Sequence, residues 1–130
     1  MDDLKISLPL HVFVKNKKFA LNLNIYRNAH YRLSNDAKIN YKEIVVNLLR
    51  GNTKKFNKIE VTYTLYPKTK RRTDLGNILS IVQKFFEDAI VSIGIIEDDD
   101  YLHIVRNIQE FGCVDKNNPR VDVFIKEFNE

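Results

Sequence analysis

Between Leu75 and Ile93, apolar side chains recur at positions 78, 79, 82, 85, 86, 89, 90 and 93. At about 3.6 residues per turn these positions form one broad stripe, so the segment is expected to be a helix with much of its surface buried. Gly94 breaks it. Just upstream, a different period holds. Ile59, Val61, Tyr63 and Leu65 alternate with Glu60, Thr62 and Thr64 in residues 58–66, as in a strand with one apolar face. Pro67 ends that strand. A heavily apolar helix beside a half-buried strand calls for a sheet on which the helix can lie, and this pair constrains the rest of the chain.

The other segments fit such a frame. Residues 4–14 and 18–26 read as strands or extended segments around a turn-prone stretch, Lys15 to Lys18. Ser34 and Asn35 suit the N-cap of a helix that places Ala37, Tyr41, Ile44, Val45 and Leu48 on one face, with Gly51 as its stop. Residues 101–111 and 119–128 read as a closing hairpin around a turn from Asp115 to Pro119. Strands and helices in this mixed order predict one α+β domain over residues 1–130. Its mixed sheet is expected to have about four to five strands, with two main helices packed on it.

Composition narrows the class. With 44% hydrophobic and 29% charged residues the chain is of ordinary globular type. A net charge of +4 is compatible with nucleic acid or an anionic membrane as partner. A single cysteine, Cys113, excludes an internal disulfide, and with three scattered histidines it leaves no zinc-ligand spacing. His11, His103 and Cys113 read as ordinary structural residues. The charged start and the lack of a long apolar run predict no signal peptide, no membrane span and a cytoplasmic protein.

The chemistry-bearing residues sit around the second helix. Asp98, Asp99 and Asp100 follow it closely, and Asp74 precedes it, directly behind the basic run from Lys68 to Arg72. Carboxylates gathered beside clustered cations suit Mg²⁺-dependent chemistry on a phosphate backbone. On the helix itself Asn77, Lys84 and Asp88 fall within about 40° of one another, a polar line opposite the core with Ser80 and Glu87 beside it. A plainer arrangement accounts for the same residues: Asp74 caps the helix, Asp88 is solvated and the triplet is a surface turn. Periodicity leaves open whether the reversal after Gly94 returns the triplet to Asp74.

Three stretches together resemble the RusA family of Holliday junction resolvases. They are Arg71-Arg-Thr-Asp-Leu-Gly-Asn77, Lys84-Phe-Phe-Glu-Asp-Ala-Ile90 and Gly94-Ile-Ile-Glu-Asp-Asp-Asp-Tyr-Leu102. The family pattern has basic residues, Asp-Leu-Asp-Asn, a helix with a lysine and Asp-Ala-Leu, then a glycine and paired aspartates. Asn24 to Arg27, and Leu33 to Lys38 with Tyr41, resemble the family's first half more weakly. The resemblance implies a homodimeric, Mg²⁺-dependent endodeoxyribonuclease that cuts four-way junctions in recombination and repair, often in phage. It implies Asp74, Asp99 and Asp98 as metal ligands and Lys84 as the cation at the scissile phosphate. Lys68, Lys70, Arg71 and Arg72 would contact DNA phosphates, with Asn24, Arg27, Tyr26 and His30 along the same surface. Asn77 would orient Asp74. Two departures stand out. Gly76 occupies the place of the family's second aspartate, and Asn77 to Lys84 is about one turn longer, which rotates Lys84 by only about 40°. The loss of that carboxylate makes an inactive junction-binding protein the alternative.

Overall fold

The computed structural model describes residues 3–52 and 54–128. Its elements run β1 (Leu4–Leu8), β2 (His11–Val14), β3 (Lys17–Ala20), α1 (Leu23–Asn28), α2 (Tyr31–Leu48), β4 (Ile59–Tyr66), α3 (Leu75–Ser92), β5 (Ile104–Phe111) and β6 (Arg120–Glu127). The fold is α+β, as its sequence predicts. Four strands make a mixed sheet in the order β1-β6-β4-β5, and β2 and β3 pair separately as a hairpin. In the sheet β4 is parallel to β5 and antiparallel to β6, while β1 is antiparallel to β6.

The two opening periods hold. Ile59, Val61, Tyr63 and Leu65 are all buried on one face of β4, and α3 buries Leu79, Val82, Phe85, Phe86, Ala89 and Ile90. Burying each large apolar side chain stabilises the fold by about 1.5–3 kcal/mol. Of the two main helices, α3 packs directly on the sheet through β4 and β5, whereas α2 packs chiefly on α3 and β2. Tyr41 of α2 is wholly buried, touches Phe85 and donates its hydroxyl to the Pro9 carbonyl at 2.9 Å. No helix among the described residues is long and apolar enough to cross a membrane.

Three local expectations are corrected. Residues 18–26 do not form one strand. Asn22 accepts a hydrogen bond from the Ile25 N–H at 2.8 Å and so caps α1, whose Leu23 and Tyr26, three residues apart, pack against the core. Secondly, α2 starts before Ser34 and Asn35. His30 is its cap, with Nδ1 accepting from the Arg32 N–H at 3.1 Å. Thirdly, β5 and β6 are not a hairpin, because β4 lies between them. The connection from β5 to β6 crosses the end of β4 instead. Gly112 N–H bonds to the Leu65 carbonyl at 2.9 Å and Asp115 N–H to the Pro67 carbonyl at 2.8 Å. At that crossing a Cβ on Gly112 would stand 2.6 Å from the Tyr66 ring, so only glycine fits without movement.

Candidate functional site

The exposed line on α3 organises the surface around it. Asp74 ends the basic loop and is the residue just before the helix. Its carboxylate makes no capping hydrogen bond to the first turn, and it is exposed. Asp74 thus holds the cap position, as the plainer reading has it, but caps through its backbone, its carbonyl accepting from the Asn77 N–H at 3.0 Å. Arg71, Arg72, Asn22, Asn24 and Asn77 join Asp74 in lining an open groove of about 1130 Å³. The Ser80 hydroxyl, also in that groove, donates to the Gly76 carbonyl. Lys68 and Lys70 are exposed on the loop, and among the described residues none of the four loop cations is in a recorded ion pair.

Further along the line lies a second groove, of about 710 Å³, between α1, α2 and α3. Lys84 and Arg27 reach it, together with Arg32, Lys38 and Tyr31. Tyr26 lines it as well, but its ring also packs edge-on against the buried Phe85 at 5.9 Å. Lys38 Nζ bonds Asp88 Oδ2 at 2.9 Å, tying α2 to the polar line.

The line ends in carboxylates. Glu87, placed beside the polar line by its sequence, is instead buried, at 6% exposure. Tyr63 donates its hydroxyl to Glu87 Oε2 at 2.7 Å, and the Asn107 side chain bonds it too. Burial pushes the Glu87 carboxyl up to about 7, against the Tyr63 hydrogen bond and with help from the charges of Asp99 and Asp88. Asp99 is raised as well, by partial desolvation, a hydrogen bond shared with Asp98 and the charge of Asp88. Asp100 differs from its neighbours. His103 Nδ1 lies 2.7 Å from its Oδ1, the Leu102 N–H donates to it at 3.1 Å, and its carbonyl accepts from the His103 and Ile104 N–H groups. Asp100 thus builds the turn into β5, and the hydrogen bond to His103 holds its carboxyl below the usual range.

Asp74 and Asp99 do not meet within one chain. Eighteen residues at about 1.5 Å each make α3 roughly 27 Å long. Asp74 sits at its start, near the end of β4. Beyond its C-terminus, Ile95 accepts from the Phe56 N–H at 2.8 Å and His103 from the Ile59 N–H at 2.7 Å, which pins the triplet beside the beginning of β4. The expected ligand set Asp74, Asp99 and Asp98 is therefore split by the length of the helix. No group of three or more His, Cys, Asp or Glu side chains among the described residues is arranged to hold a metal ion.

Several groups at these sites have no binding or catalytic role in the sequence reading. Tyr31, Ser34 and Lys38 fall at helical spacing on one face of α2, a signal hidden by the later start expected for that helix. Glu87 lies about 80° from the centre of the polar line, on the border of the apolar stripe, where periodicity does not decide burial. Compared with known proteins, the chain matches no protein-family model and no curated sequence.

Proposed function

We propose that this chain is a Mg²⁺-dependent endodeoxyribonuclease that resolves four-way DNA junctions as a homodimer, in the manner of the RusA family it resembles. One observation carries the reading: a cation-lined groove reached by Lys84 and the interacting carboxylates of Asp88, Asp98 and Asp99 adjoin the polar line of α3. Phosphodiester hydrolysis needs cations that seat the backbone and groups that stabilise charge gathering on the attacked phosphate. Lys68, Lys70, Arg71, Arg72, Asn24 and Arg27 would seat phosphates, and Lys84 would neutralise the developing charge.

In a single copy Asp74 and the Asp98–Asp99 pair, at opposite ends of α3, do not fit Mg²⁺ as one centre. On this reading the site is completed by a second copy. A two-fold axis would set the Asp74 end of one α3 against Asp98 and Asp99 of the partner subunit, giving the two equivalent sites that a junction requires.

Gly76 favours a second reading, a junction-binding protein without nuclease activity. A Cβ at Gly76 would meet nothing within 4 Å, so sterics do not demand glycine there. Gly76→Asp would remove a helix glycine and add an anion to the first turn, stabilising α3 by about 1 kcal/mol. The test is cleavage of a labelled four-way junction beside its linear duplex, in Mg²⁺ or EDTA, by wild type, Asp99→Asn and Gly76→Asp. Junction-selective nicking that needs Mg²⁺ and is lost in Asp99→Asn is expected. Tight junction binding without cleavage by wild type, with cleavage gained in Gly76→Asp, would replace the first reading by the second.

A further inference from the structure

Tyr31 is 70% exposed at the start of α2, yet its ring is held in place. It stacks on His30 with ring centres 4.6 Å apart and 30° between planes. From the other neighbour, the Arg32 guanidinium lies 5.9 Å from the ring centre and its Nε donates to the Tyr31 hydroxyl at 3.3 Å. Braced in this way, the exposed Tyr31 ring makes an aromatic shelf at low conformational cost. The shelf forms part of the groove between α1, α2 and α3.

That groove is strongly basic. Arg27, Arg32, Lys38 and Lys84 line it against one carboxylate, Asp36, and only Lys38 of the four has an ion pair recorded among the described residues. Ser34 lines it too. Cations spaced along a groove with an exposed aromatic shelf are what a flexible nucleic-acid strand requires: charge for the backbone and a π-face for a base.

We propose that this groove holds a single nucleic-acid strand, with its phosphates on Arg27, Arg32 and Lys84 and an unpaired base stacked on Tyr31. The inference deepens the nuclease reading and rests on its nucleic-acid partner, but not on cleavage. A paired duplex keeps its bases in the stack and gains only the phosphate contacts.

The experiment is equilibrium binding in EDTA by the full chain, using a dye-labelled single strand that carries 2-aminopurine and a matched duplex. Wild type, Tyr31→Phe, Tyr31→Ala and Arg27→Gln are compared. Tyr31→Ala is expected to weaken single-strand binding roughly ten-fold, with little change on duplex, while Tyr31→Phe stays near wild type. The 2-aminopurine emission should fall on binding to wild type and Tyr31→Phe but not to Tyr31→Ala. Arg27→Gln should lower the salt slope of single-strand binding by about 0.7. Equal single-strand affinity for wild type and Tyr31→Ala overturns the inference and leaves the nuclease reading standing. A wild type that binds neither DNA overturns both. Because no metal is present, failure of cleavage alone does not touch the result.

Discussion

Glu87 is the one charged side chain buried among the described residues. Its carboxyl, pushed up to about 7, titrates well above the 4.5 of the unfolded chain. The folded protein therefore keeps this proton at pH values where the unfolded chain has lost it. Stability from this group is present below about pH 4.5, falls as pH rises to about 7, and then levels off. Glu87→Gln keeps an acceptor for the Tyr63 hydroxyl and removes the charge. The variant should match wild type near pH 4 and exceed it by about 1–3 kcal/mol at pH 8. Urea denaturation of both proteins across that range measures the difference. A difference that stays flat with pH would mean that Glu87 is ionised in the fold at no cost. The loop cations and the polar line on α3 were legible residue by residue, because charge and helical angle are local. The burial of Glu87 was not, since it depends on Tyr63, which reaches the carboxylate from another element.

Among the elements, the strand β4 and helix α3 follow the sequence periods closely, because each buries a continuous apolar face. The short elements do not. An asparagine side chain and a histidine ring set the starts of α1 and α2, so single hydrogen bonds outweigh the surrounding propensity there. The connection from β5 to β6 is a tertiary matter. Its crossing relies on Gly112 lying against Tyr66, and on Arg120, whose guanidinium stacks 4.1 Å above that ring and bonds Asp115 at 2.8 Å. Gly112→Ala should destabilise the protein by about 1–3 kcal/mol, the range for overpacking a tight contact. Thermal unfolding checks this, and a second variant, Gly112→Ala with Tyr66→Ala, should recover part of the loss by removing the ring. A neutral Gly112→Ala would show that the ring moves freely aside.

For the whole molecule the decisive fact is that α3 keeps Asp74 and Asp99 at opposite ends. The proposed two-copy site then makes a prediction that no single-copy site shares. Asp74→Asn and Asp99→Asn should each be inactive on a four-way junction, whereas co-refolded mixtures should regain nicking. In a mixed dimer one site carries both substitutions and the other carries neither, so about a quarter of wild-type sites should return at equal ratio. Mixtures as inactive as either parent would mean that each copy builds its site alone. By itself the sequence determined what neighbours along the chain can settle: the α+β class, the alternating strand, the buried helix and the basic loop set against carboxylates. Such features depend on side-chain period and on breakers such as Pro67 and Gly94. Only the tertiary structure decided that β4 separates β5 from β6, that Glu87 is enclosed and that the aspartates stand apart. Those outcomes come from contacts between distant positions, such as Gly112 with Leu65 and Glu87 with Tyr63, and no local period encodes them.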